Sequence, residues 1–331
     1  MLQELIETSW QRKNTLFYLV LVPLSWVFAA VTKLRRSLYQ YSVLKSYILP
    51  VPVIVIGNIN LGGNGKTPVV MWLVEQLKQH GYRPGVISRG YGGNTKKPTA
   101  VNRNSDARSV GDEPVLIANR CDCPVWVGAK RVEVANELLK AHPDCNVIIS
   151  DDGLQHYALR RTIEIAVTQP EQHGGKIWLL PAGPLREPIE RLNSVDAIVC
   201  NGQVSNSQHG HSNWFEMQLI GEQFYNLLDS NLKATAADFK HKSVKVIAGI
   251  GKPARFFAHL KNLGMSFSSE SFDDHHRFTA HELAGIASEV LVMTEKDAVK
   301  CKAFAQAHHW VLPVRASIDA GLMPLILSKL I

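Results

Sequence analysis

Gly57-Asn58-Ile59-Asn60-Leu61-Gly62-Gly63-Asn64-Gly65-Lys66-Thr67-Pro68 ends a glycine-rich run with a lysine and a hydroxyl. Glycines let a backbone curl until several N–H groups converge on one anion. A lysine in that position reaches β- and γ-phosphates, and the following threonine hydroxyl can ligate Mg²⁺. Asn60, Leu61, Gly62, Gly63, Asn64, Gly65, Lys66 and Thr67 are therefore the expected cradle for a nucleotide phosphate. The general pattern G-x-x-x-x-G-K-[ST] has Gly where this chain has Asn60. Asn tolerates a left-handed backbone, so the exchange is expected to be mild.

Two adjacent acids, Asp151-Asp152, close the apolar run Asn146-Val147-Ile148-Ile149-Ser150. Carboxylates at the end of a neighbouring parallel strand face a nucleotide crevice and can hold the Mg²⁺ shell, which favours this role over a solvated turn. Asp112 and Glu113 sit in Gly-Asp-Glu-Pro. Asp112 suits the acceptance of a proton from an attacking hydroxyl. It equally suits stabilisation of a helix dipole, and the residues alone leave both readings open. Asp273-Asp274-His275-His276 puts carboxylates beside imidazoles, but the chain has 13 His, most of them necessarily ordinary. Arg89, Arg186 and Arg160-Arg161 stand near glycine turns or strand ends, where an arginine fork can grip phosphate.

These residues need a scaffold. Val51–Ile56 reads as a strand before the glycine loop, and Val69–Leu77 as a helix after it. Further strands are expected at 85–89, 125–128, 146–150, 163–167 and 244–248, with helices between them. The alternation predicts an α/β fold: a P-loop NTPase-like, mainly parallel sheet with helices on both faces. A polar stretch at 202–212 suggests a boundary. The expected division is an N-terminal apolar helix over 1–45, a P-loop core over 46–202, a linker over 203–213, and a smaller α/β domain over 214–331 that closes on the active site.

At 331 residues, two domains are expected. The formal charge is +7. No basic stripe with interleaved aromatics points to nucleic acid. Five cysteines form no disulfide framework or zinc spacing and read as reduced. The run 16–31 is uncharged and would span about 24 Å as a helix, short of a bilayer core of about 30 Å. Pro23 interrupts it, and basic residues flank it. An interfacial helix is favoured over a buried core helix or a cleaved signal peptide.

Taken together, the motifs resemble the tetraacyldisaccharide 4′-kinases, the lipid A 4′-kinase family. The resemblance is carried by Gly57–Pro68, Ser88-Arg89-Gly90-Tyr91-Gly92, Gly111-Asp112-Glu113-Pro114 and Asp151-Asp152-Gly153-Leu154-Gln155-His156. It continues through Leu180–Pro188, Ala248–Pro253, Phe272-Asp273-Asp274-His275 and Thr294-Glu295-Lys296-Asp297-Ala298. Lys252 departs from the small polar residue expected there. The resemblance implies transfer of the γ-phosphate of ATP, with Mg²⁺, to the 4′-hydroxyl of a tetraacyl glucosamine disaccharide 1-phosphate. It implies Asp112, His275 and Lys66 as catalytic groups, Thr67, Asp151 and Asp152 around the metal, and Arg89, His156 and Arg186 toward the substrate. The enzyme would meet its lipid at the cytoplasmic face of the inner membrane through residues 1–35, with no nucleic acid and no obligate protein partner. The alternative is a membrane-associated P-loop ATPase acting as a switch or partitioning factor, although Leu61 stands where that class carries a lysine.

Overall fold

The computed structural model describes residue 10 and residues 15–170, 178–204 and 213–330. Residues 1–9 and 11–14 of the expected N-terminal helix, and 205–212 of the expected linker, lie outside the described residues. Helix α1 (Thr15–Gln40) runs through Pro23. The chain then alternates through β1 (Val53–Gly57), α2 (Lys66–Gln79), β2 (Pro84–Ser88), β3 (Thr99–Val101) and α3 (Asp112–Arg120). It continues with β4 (Val125–Val127), α4 (Arg131–Ala141), β5 (Val147–Asp151), β6 (Ile163–Thr168), β7 (Ala197–Asn201) and β8 (Trp214–Ile220). After these come β9 (Phe224–Asn226), β10 (Lys233–Ala234), β11 (Val244–Ala248), α5 (Pro253–Asn262) and β12 (Ser268–Ser271). The last elements are β13 (Val290–Thr294), α6 (Glu295–Cys301), β14 (His309–Leu312), β15 (Arg315–Ile318) and α7 (Leu322–Leu330).

Two sheets result, ordered β15-β8-β7-β6-β1-β5-β2-β4-β3 and β10-β9-β14-β13-β11-β12. In the larger sheet, β15 and β3 are antiparallel edges around a parallel centre. Strand β1 is buried along its whole length, as the apolar run 51–56 predicts for a strand covered on both faces. On one face, α2, α3 and α7 pack Val69, Leu73, Val115, Ile117, Leu322 and Ile326 against Ile54 and Ile56. On the other, α4 contributes Val134, Ala135 and Leu138.

The expected boundary at 213/214 has to move. Strand β8 pairs with β7, and β15 pairs with β8, so both belong to the core sheet. Phe215 and Met217 alternate as strand residues do, and both side chains bury in the P-loop core cluster. Periodicity identifies a strand, not the sheet that receives it. The second lobe is therefore the span between β8 and β15, and the chain crosses to it twice. The crossings touch: a Cβ on Gly221 would lie 2.2 Å from the Pro313 carbonyl oxygen.

Helix α1 lies along the core instead of inside it. Ser25 is buried; its Oγ donates to the Leu179 carbonyl at 2.8 Å and accepts from Ala182 N at 3.0 Å. Leu24, Trp26, Val27, Val31 and Leu34 are exposed and form an apolar outer stripe. Among the described residues, no helix is long and apolar enough to cross a membrane.

Candidate active site

The glycine loop joins the carboxyl end of β1 to α2. Gly62 and Gly65 take positive φ of 104° and 93°, conformations that favour glycine. Asn60 does not appear among the positive-φ residues, so its tolerance of left-handed backbone is not what the fold uses. Asn60 is buried and bridges to Leu185, and its Oδ1 accepts from Asn64 Nδ2 at 2.6 Å. That amide pair braces the loop from within. Asn64 Nδ2 also donates to the Val167 carbonyl, and Asn201 Nδ2 donates to the Asn64 carbonyl.

Lys66 starts α2 and is mostly buried. Its Nζ lies 3.0 Å from Asp152 Oδ1 and 3.1 Å from Asn58 Oδ1. Arg186 grips the same carboxylate at 3.1 and 3.2 Å. Burial opposes the charge on Asp152, but Lys66 and Arg186 outweigh it and hold the carboxyl at about 2. Asp152 itself has φ 47°, a costly backbone for a non-glycine residue. Asp151 ends β5 opposite Ile56 of β1 and is buried. Burial, with Glu113 and Asp152 nearby, pushes it up to about 7. Its Oδ1 has no hydrogen-bond partner among the described residues. Asp151 and Asp152 offer carboxylate oxygens, the chemistry a hard divalent cation prefers. Among the described residues no group of three or more His, Cys, Asp or Glu is arranged to hold a metal unaided.

The turn after Asp152 is locked to the segment after Arg186. Gln155 Nε2 donates to the Asn58 carbonyl at 3.0 Å and to Glu187 at 2.7 Å; the Tyr157 hydroxyl donates to Glu187 at 2.5 Å. Beneath them Arg191, 1% exposed, donates to both Glu164 oxygens at 2.6 and 2.7 Å. Its Nε lies 3.2 Å from Glu187. Arg191→Met should cost about 3–5 kcal/mol of stability, because buried Glu187 loses its ion-pair partner, while Glu164 keeps Arg161 at 2.7 Å. A denaturant midpoint unchanged from wild type would contradict this role.

The second lobe supplies the rest. Gly251 approaches Gly63 so closely that a Cβ on Gly251 would meet Gly63 N at 3.0 Å. Lys252 donates to Gln169, whose Nε2 donates to the Gly63 carbonyl at 2.9 Å. The unexpected lysine thus makes a cross-lobe contact behind the loop. His275, φ 63°, places Nδ1 3.0 Å from both oxygens of Asp112. The Tyr91 ring packs on the imidazole, with centroids 5.1 Å apart. Burial would raise Asp112, but the bond from His275 and the charge of Lys296 hold it below the ordinary carboxylate value. Burial lowers His275, and Asp112 more than offsets this, so the ring titrates above its usual value.

Thus Asp112 meets His275, and Lys66, Asp152 and Arg186 meet one another. Arg89 is exposed just beyond β2, and His156 is half-buried in the turn after β5. Among the described residues, neither hydrogen-bonds to either cluster through its side chain. Burial and the arginines, Arg131 foremost, push His156 down to about 4. Glu113, Gln155, Glu187 and Lys296 were missed as site residues. Lys296 could have been suspected, since it follows a buried strand end in a charged run, the same signature that marked Asp151.

A family model described as LpxK, tetraacyldisaccharide-1-P 4′-kinase, matches residues 17–331. The chain belongs to the tetraacyldisaccharide-1-P 4′-kinase family. The tetraacyldisaccharide 4′-kinase of Methylobacillus flagellatus is 45% identical, with 98% of this chain and 95% of that protein aligned. That of Dechloromonas aromatica is 44% identical over 100% of this chain and 98% of its own. The crystal structure of LpxK from Aquifex aeolicus in complex with ATP superposes with a TM-score of 0.77 at 28% identity, covering 94% of this chain and 98% of that one. Family kinship accounts for an ATP-dependent kinase on a P-loop fold, and the residue geometry above is this chain's own.

Proposed function

We propose that this chain transfers the γ-phosphate of ATP to the 4′-hydroxyl of a tetraacyl glucosamine disaccharide 1-phosphate, giving the 1,4′-bisphosphate precursor of lipid A. The observation that carries the mechanism is the 3.0 Å contact of His275 with Asp112, made across two lobes beside a P-loop. The loop amides and Lys66 bind the β- and γ-phosphates. Asp112 accepts the hydroxyl proton; held ionised by its neighbours, it is available for that role at neutral pH. His275 orients the carboxylate through its ring nitrogen. Arg89, His156 and Arg186 are assigned to contact the acceptor, as the family resemblance implies, and closure of the second lobe would exclude water that would otherwise hydrolyse ATP.

Mg²⁺ fits the oxygens of Thr67, Asp151 and Asp152, as the unpartnered Asp151 Oδ1 suggests. When bound it would neutralise charge developing on the phosphates. The test is incubation with ATP, Mg²⁺ and the tetraacyl disaccharide 1-phosphate. A new 4′-phosphate on the lipid is expected; ATP hydrolysis without it would instead indicate a switch ATPase.

The acyl chains of such an acceptor stay in a bilayer, so the enzyme must work at its surface. The exposed apolar stripe of α1, followed by exposed Tyr41 and Ile48 and flanked by Lys33, Arg35 and Arg36, supports peripheral association at the cytoplasmic face of the inner membrane. Val27→Glu combined with Val31→Glu should abolish flotation with anionic vesicles while sparing turnover of detergent-dispersed lipid. Undiminished flotation would remove α1 from this role.

A further inference from the structure

Beside the Asp112–His275 contact stands a group with no assigned part in the reaction. Lys296 sits in the first turn of α6, mostly buried. Its ammonium has three N–H donors and no acceptor. Three partners surround it: Glu113 Oε1 at 3.1 Å, Asp274 Oδ1 at 3.0 Å and His275 Nε2 at 3.4 Å. Asp112 Oδ2 is 3.9 Å away. An ammonium can only donate, so this contact is a hydrogen bond when Nε2 carries the lone pair. The ring proton is then on Nδ1, pointing at Asp112. The backbone beneath Lys296 is fixed: Thr294 caps α6, accepting from Asp297 N at 3.2 Å. The neighbouring Glu295 binds Arg120 at 2.5 Å, so the start of α6 holds α3 at both its ends.

We infer that Lys296 is a positioning residue for the phosphoryl transfer: from the second lobe it donates to His275 Nε2, so that the ring meets Asp112 through Nδ1–H, while its bond to Glu113 fastens the helix that carries Asp112. The charged and titratable groups facing His275 are Asp112 from α3, Asp274 from its own loop, Lys296 from α6, and the Tyr91 ring from the loop after β2. Of these, Asp112 and Asp274 draw His275 upward, and burial and Lys296 draw it downward. The lysine's own protonation is secure, because Glu113, Asp112 and Asp274 outweigh its burial and push it above the ordinary lysine value.

The test is a pH titration of full-length protein labelled with ¹⁵N-histidine, with His275 assigned by its absence in His275→Asn. In Lys296→Met the imidazole should titrate at least about one unit higher than in wild type, because a nearby positive charge has gone. Lys296→Arg keeps charge and donors and should titrate near wild type. In turnover, Lys296→Met should lower kcat on the order of 10- to 10²-fold with KM for ATP unchanged, as expected of a misplaced reacting group away from the phosphate loop. If the methionine variant loses its fold, Lys296→Gln, neutral but still able to bond Glu113, makes the same comparison. Identical His275 titration in wild type and the neutral variant overturns the inference, as does an equal shift in Lys296→Arg. The turnover arm rests on Asp112 being the base; the titration does not, so failure of one can be told from failure of the other.

Discussion

Asp112→Asn should lower kcat by about 10²–10⁴-fold while leaving the fold and the ATP affinity close to wild type. The side chain is 5% exposed, and asparagine matches its shape, so packing is conserved. The charge is what disappears. An amide cannot take the proton of an attacking hydroxyl, although it can still accept from His275 Nδ1. The sequence left a second account of this residue, an acid stabilising the amino end of a helix. Asp112 is the first residue of α3, so that account also has structural support. The two predict different losses. A dipole acid is worth about 0.3–1 kcal/mol of stability and nothing in turnover. A variant that phosphorylates lipid at the wild-type rate but melts earlier would therefore return Asp112 to a structural role.

Lys66→Met should reduce kcat by roughly 10²–10³-fold, the range seen when one preorganised donor to developing charge is removed. A rise in KM for ATP should accompany it, since the lysine contacts phosphates before as well as during transfer. Lys66 also neutralises Asp152, and its loss leaves that carboxylate with Arg186 alone. Methionine keeps the aliphatic stem, so the packing of α2 is little disturbed. Steady-state kinetics with varied ATP, alongside a melting curve, separates these effects. Turnover within a few-fold of wild type would show that the loop amides and Arg186 suffice.

The phosphate loop, Asp151-Asp152 and the α/β alternation were legible because each is local: strand, turn and helix lie within about twenty residues. The helix that begins at Asp112 agrees with the reading of its acids as helix-starting residues. Long-range facts were not legible. Nothing in Phe215 or Met217 says which sheet they join, and nothing in Glu113 says that a lysine 183 residues later will bond it. Asn60 shows a subtler limit. The exchange of Gly for Asn60 was legible, but what the side chain does there is brace Asn64, not adopt a left-handed backbone. Thirteen histidines cannot be ranked by composition; the family resemblance singled out His275, and its distance to Asp112 shows what it touches.

The path of the chain through β8, the second lobe and β15 has a consequence for synthesis. The P-loop core cannot be finished when its own P-loop has been translated. Strand β15 supplies the edge partner of β8, and Leu322, Met323 and Ile326 of α7 cover the α2 face. Both emerge only after the whole intervening lobe has been made. The ribosome therefore delivers the inserted lobe as a continuous piece, free to fold first, while the nucleotide-binding body waits with one face uncovered. A nascent chain arrested before residue 315 should expose that face to chaperones, although the Walker lysine has long been in place.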